Sequence, residues 1–152
     1  MIFITNYFFT EYKYIIIPIL VWFSIQAFKV LYDLVKTKKF NFKRIMGAGG
    51  MPSSHSAVVT SLATLIGIDY GTDSAVFALS VIFACVVMYD AAGVRRAAGK
   101  QAKLLNKIVE TPGLTGIEVT EKLAEVLGHS PIQVFVGALI GIVVGLLFGF
   151  LL

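Results

Sequence analysis

Four apolar runs of membrane length, or close to it, alternate with short polar stretches along this chain. They cover about Tyr12 to Val35, Ser54 to Ile68, Ser74 to Ala92 and Ile132 to Leu152. A helix needs about 20 mostly apolar residues to cross a hydrocarbon core, and the first run is long enough. Its Tyr12, Tyr14, Trp22 and Phe23 include candidate interfacial anchors, and Pro18 marks a kink or a boundary. The second run is short and carries Ser56, Thr60, Ser61 and Thr64. That composition predicts a helix packed inside a bundle rather than one facing lipid all round. In the fourth run Gly137, Gly141, Gly145 and Gly149 recur every four positions. They form a smooth stripe for close helix contact, which could also serve a homo-oligomer.

The long segment 93–130 has a different pattern. Arg96, Lys100, Lys103 and Lys107 fall on one helical face, and Ala98, Ala102, Leu105 and Val109 on another. This predicts an amphipathic helix on the membrane surface, its cations toward anionic headgroups or substrate. Thr111-Pro112-Gly113 breaks it. Thr115 with Glu118 then offers a capping box for a second short helix, which would end at Gly128. The expected architecture is an all-α integral membrane protein with about four membrane helices and two short interfacial helices. It forms a single domain over residues 1–152.

Composition agrees with membrane residence. Of 152 residues, 57% are hydrophobic, against about 45–50% in a soluble domain. Met1 to Phe9 carries no basic n-region, so no cleaved signal is expected. The lone cysteine, Cys85, excludes an internal disulfide and a cysteine metal cluster, and reads as a small core residue. No cluster of carboxylates favours metal-dependent hydrolysis, and no metal or other cofactor is expected. The net charge is +4, and its distribution matters more than its sum. Lys36, Lys38, Lys39, Lys43 and Arg44 follow the first run; Arg95, Arg96, Lys100, Lys103 and Lys107 follow the third. Asp69 and Asp73 lie in the turn between the second and third. No nucleic-acid readout motif accompanies the basic residues. The positive-inside rule puts both termini outside and the loops 36–53 and 93–130 in the cytoplasm, in a plasma-membrane protein.

The only two histidines lie at the ends of those two loops. His55 stands in Gly49-Gly50-Met51-Pro52-Ser53-Ser54-His55-Ser56 and His129 in Gly128-His129-Ser130-Pro131. Each marks the junction of a loop with a helix start, where free N–H groups and a positive dipole suit an anion. Hydrolysis of a phosphate ester needs a nucleophile, a proton for the leaving oxygen and fixed positive charge. His129 and His55 can supply the first two; Arg95, Arg96, Arg44 and Lys29 can supply the third. Ser53, Ser54 and nearby amides can hydrogen-bond the phosphoryl group, and Gly47, Gly49 and Gly50 permit close backbone approach. Each residue also has an ordinary reading. An interfacial histidine is commonly solvated or capping, and Ser53-Ser54 after a proline is a usual helix cap. Arg95-Arg96 can simply anchor a helix, and Asp90 can anchor or pair with Arg95. The joint pattern is what favours chemistry.

Pro52-Ser53-Ser54-His55-Ser56 resembles the Pro-Ser-Gly-His core of the type 2 phosphatidic acid phosphatase (PAP2) superfamily, which includes vanadium haloperoxidases. Gly128-His129-Ser130-Pro131, running into a glycine-rich helix, resembles that superfamily's third motif, with Gly93-Val94-Arg95-Arg96 as its arginine part. The fuller strings, including Tyr89-Asp90-Ala91-Ala92, are similar to the divergent PAP2 family, and the similarity covers nearly everything from Gln26 onward. It implies attack by His129 on phosphorus to give a phosphohistidine, with His55 protonating the departing oxygen. Arg95 or Arg96 would bind phosphoryl oxygens with Ser54, and Lys29 and Arg44 would complete the pocket. The implied substrate is a membrane lipid phosphate or polyprenyl diphosphate. Gln133 stands where the superfamily carries an acid, and Asp90 would substitute if it folded toward His129. Gln133 favours a rival reading, a phosphate-binding scaffold without turnover. Short length and the glycine stripe favour another, a small permease or assembly factor.

Overall fold

The computed structural model describes residues 10–38, 50–111, 122–125 and 127–152. Arg44 and the Thr115–Glu118 capping box lie outside them. The helices are α1 (Lys13–Thr37), α2 (Ser54–Tyr70), α3 (Ala75–Ala92), α4 (Val94–Glu110) and α5 (Pro131–Leu151). Among the described residues, three stretches are long and apolar enough to cross a membrane: α1, α3 continuing into α4 over Ala75–Glu110, and α5. The expectation of about four such helices is met for three. The 17 residues of α2 reach only about 25 Å at 1.5 Å per residue.

Helix α2 sits in the middle, packed on α1, α3 and α5. Its hydroxyls tolerate that position because they bond to backbone carbonyls of their own helix, so no water is needed. Thr60 donates to Ser56 (2.8 Å), Ser61 to Val58 (2.9 Å) and Thr64 to Thr60 (2.8 Å). Ile17, Val21 and Ile25 of α1 close the core over Ala57 and Leu65. The glycine stripe of α5 is taken up within the chain. A Cβ at Gly137 would strike the Ser53 backbone, one at Gly141 would strike Ala57 and Thr60, and one at Gly145 would meet Ser61 and Thr64. At the far end of the bundle the buried Lys13 ammonium lies 2.7 Å from Asp69, which also accepts a 2.5 Å hydrogen bond from the Tyr14 hydroxyl. This pins the start of α1 to the end of α2.

Three sequence expectations need correction. The second short helix does not run to Gly128: residues 122–125 and 127 are non-helical. They form a strap along α4, because Asn106 offers the Leu123 backbone both an acceptor (3.0 Å) and a donor (2.9 Å) in place of a helical partner. Gly99 leaves room for the carbonyls of Glu125 and Leu127. The faces of α4 are consequently divided differently. Gly99, Ala102 and Asn106 are buried, whereas Leu104 and Leu105 are exposed. Cys85 is exposed on the outer face of α3 rather than held in the core, since the small residue packed inward there is Ala84.

Candidate active site

The two histidine-bearing helix starts are tied side by side. Ser53 caps α2, accepting from the amide of Ser56 (3.3 Å). Its own amide donates to the Gln133 carbonyl in the first turn of α5 (3.0 Å). Gly137, having no side chain, lets the two backbones come this close. Ser130 caps α5 in a full capping box with Gln133, and Pro131 fills the adjoining position that has no need of an N–H. His55 therefore rides the first turn of α2, and His129 lies just ahead of α5.

A second tie brings in the end of α3. The His129 amide donates to the Ala91 carbonyl (2.8 Å). Gly128, at φ +80°, lies against the backbone of Arg95 and Arg96. No larger residue fits there, in both conformation and space. His55, His129, Asp90 and Arg95 consequently line one cavity of about 20 Å³, with Val87 behind them. That volume holds about one water molecule. The imidazole centroids are 6.4 Å apart and their planes are inclined at 59°.

His129 is buried, at 4% exposure. Its Nδ1 lies 3.3 Å from Gln133 Oε1, which also accepts from the Ser130 amide (3.0 Å). That second bond fixes the oxygen rather than the NH₂ toward the ring. An acceptor at Nδ1 favours the tautomer with its proton there, leaving the Nε2 lone pair available. Burial pushes the His129 pKa below the ordinary histidine value. The charge of Lys29 and the nearby His55 ring also lower it, while the hydrogen bonds to Gln133 and the Gly50 backbone oppose the shift. The ring is thus biased toward its neutral, nucleophilic form near pH 7.

The remaining candidates divide. Arg95 donates from Nε to Asp90 at 2.5 Å, both side chains being partly exposed. Asp90 therefore serves Arg95, and the partner of the His129 ring is Gln133. Lys29 is buried on α1, and its charge reaches both rings. Arg96 is exposed and is not among the residues lining the histidine cavity. Ser53 is fully buried, and its hydroxyl oxygen accepts from Ser56 Oγ (2.9 Å) as well as from the Ser56 amide, so it acts as a cap. Ser54 is buried and does not line the cavity. The structural support of His129 from the strap and from Ala91 was missed in the sequence. Gly99, Ala102 and Asn106, on one face of an otherwise cationic helix, were the available signal for the strap; a backbone carbonyl such as that of Ala91 leaves none.

Residues 10–144 match the family described as the divergent PAP2 family. The chain is 42% identical over 136 residues to an uncharacterized membrane protein, YuiD, of Bacillus subtilis strain 168, an alignment covering 82% of this chain and 86% of that protein. No solved structure matches the chain.

Proposed function

Since the chain belongs to the divergent PAP2 family, we propose that it hydrolyses a lipid phosphate or diphosphate at the membrane interface through a phosphohistidine, without a metal. The observation that carries this reading is the pair of imidazoles, 6.4 Å apart, on a cavity shared with Arg95. A phosphorus atom about 3–3.5 Å from one ring nitrogen, with its leaving oxygen about 3 Å from the other, fits that separation. His129 Nε2 attacks phosphorus as the P–O bond to the lipid breaks, and His55 gives its proton to the departing oxygen. His55 then takes a proton from water, the resulting hydroxide displaces His129 from phosphorus, and inorganic phosphate leaves. Arg95 and Lys29 oppose the charge on the phosphoryl oxygens. The cavity admits little more than a water, so the Arg95 side chain, exposed on one wall, must swing as the phosphoryl group enters.

In this reading α2 is a fourth, protein-covered span and α4 lies in the interface. Lys36, Lys38 and the lysines of α4 favour a site on the cytoplasmic side of the plasma membrane. A homo-oligomer would need a surface other than the Gly137–Gly145 stripe, which α2 already covers.

A second reading, a phosphate-lipid-binding scaffold, draws on Gln133 beside His129 and on the carboxylate of Asp90 engaging Arg95. The two are separated by assaying phosphate release from a panel of lipid phosphates, with chelator present, in detergent-purified protein. His129→Ala and His55→Ala are compared with wild type. Loss of general acid catalysis at His55 slows turnover by about 10²-fold or more, and loss of His129 abolishes it. Wild-type release no greater than that of both variants on every substrate would falsify the hydrolase reading, and vanadate binding without turnover would select the scaffold.

A further inference from the structure

Helix α4 follows α3 with only Gly93, outside the helical conformation, between them. The 18 residues of α3 reach about 27 Å, close to the full depth of a hydrocarbon core, about 30 Å. Helix α4 therefore begins at the edge of the core, and its charges keep it there. Among the described helices it packs on α3 alone. Its surface falls into three strips. Gly99, Ala102 and Asn106 are buried, and the strap lies on this strip. Arg96, Lys100, Lys103 and Lys107, all exposed, share an adjoining arc of about 60°. Beyond the cations stand Val94, Leu104 and Leu105, each about half exposed or more. Among the described residues none of these four cations is in an ion pair. The single carboxylate of α4, Glu110, is engaged by Lys122. Open leucines beside unpaired cations, at the edge of the hydrocarbon, are complementary to acyl chains lying under anionic headgroups. A neutral surface would leave the cations unused. An acidic soluble protein would meet them from the water side and leave the leucines uncovered.

The buried strip ties this surface to the histidines. The Asn106 amide donates to the Leu123 carbonyl and to Glu125 Oε1 (2.9 Å each), and its oxygen accepts from the Leu123 amide (3.0 Å). One turn or two nearer the joint, Gly99 receives the carbonyls of Glu125 and Leu127. The strap then enters Gly128, against the backbone of Arg95 and Arg96, and His129, whose amide is held by Ala91. A force that seats α4 therefore also seats the strap and, through it, the His129 backbone. We infer that α4 docks on the anionic lipid of its own leaflet, and that this docking steadies the crossing that carries His129 and Arg95. The surface charge of the membrane is thereby a regulator of the site, a role that rests on reading the histidine cavity as the phosphoryl site.

The test places a fluorophore at Leu104→Cys, in a Cys85→Ala background, in nanodiscs of mixed phosphatidylcholine and phosphatidylglycerol. Either lipid in turn carries brominated, quenching chains. Brominated phosphatidylglycerol is expected to quench with an apparent affinity about fivefold above that of brominated phosphatidylcholine, the weight of one cation at an anionic surface. The combined Lys100→Gln, Lys103→Gln and Lys107→Gln variant should erase the preference, and Lys38→Gln on α1 should keep it. Raising salt from about 0.1 M to about 1 M cuts the Debye length from about 10 Å to about 3 Å and should also erase it. If a label at Leu104 disturbs folding, Leu105→Cys reports on the same strip. Amide hydrogen exchange then reads the link to the site. In the peptide containing His129 it is expected to be about fivefold slower in phosphatidylglycerol discs than in pure phosphatidylcholine, and equal in the two for the triple variant. Equal quenching by the two lipids, no quenching by either, or exchange at His129 that ignores the lipid would each overturn the inference. Neither readout needs turnover. Both effects without phosphate release would leave the docking standing and remove the hydrolase; release without either effect would do the reverse.

Discussion

At His129 three neighbours each fix a different degree of freedom. Ala91 holds the backbone, Gln133 the ring and Gly128 the entry of the chain. Gln133 is the informative one, because it does two jobs with one oxygen: it completes the cap of α5 and accepts from the imidazole. Gln133→Glu keeps both, since glutamate serves equally in a capping box and suits a helix N-terminus. A carboxylate, however, stabilises imidazolium as an amide oxygen does not. The acid limb of kcat/KM is therefore expected to move to higher pH in Gln133→Glu, with thermal stability near pH 7 kept; an unmoved limb argues against His129 as the titrating group. In the unchanged protein the His129 pKa lies below about 6.5. The unfolded chain then binds the extra proton first as pH falls, so this group's stabilisation is present above about pH 6.5 and lost as pH falls through the lowered folded value. His129→Gln should flatten that part of the stability–pH curve, read from thermal unfolding in detergent.

At the scale of elements, the pairing of α2 with α5 positions the site. Gly141→Val puts methyl groups where Thr60 and the Ala57 carbonyl already stand. Overpacking of this kind costs about 1–3 kcal/mol, and here the obstacle is partly backbone. The variant is expected to unfold earlier in a detergent-challenge assay than Leu139→Val, a change at a half-exposed position on the same helix. Most of this scale could be read from the sequence. The apolar runs fix the helices within a few residues, the hydroxyls of α2 mark it as the covered helix, and the four-residue glycine period marks the face of α5 that meets it. The strap could not be read in the same way. Thr115 and Glu118 offer a good local start for a helix, but whether residues 122–125 continue it depends on Asn106, some 17 positions earlier, and periodicity carries no record of such a pairing. The site follows the same division. The two histidines, Arg95 and Gln133 could be picked out because each sits in a distinctive string. The allegiance of Asp90 could not, because a carboxylate beside a helix end reaches either Arg95 or His129 with equal ease on paper.

For the molecule as a whole, charge is placed by fold as well as by topology. Asp69 adds to the acidity of the turn before α3, yet it is bound to Lys13, so that end of the bundle is locally balanced. Lys36, Lys38 and the lysines of α4 remain at the other end, exposed, and the proposed orientation rests on them. In a Cys85→Ala background, Thr111→Cys is expected to react with an impermeant maleimide only after the cytoplasmic face is opened, and Thr72→Cys in intact cells. The reverse pattern would turn the protein over and put the chemistry outside.

The contact of Gly128 with the α3–α4 joint has one more implication. The imidazole of His129 and the guanidinium of Arg95 hang from the same knot of backbone, two strands of chain crossing where a single hydrogen fits. The proposed nucleophile and the proposed anion clamp are thus carried on one chassis, and a lesion at that crossing would read in any assay as two residues lost together.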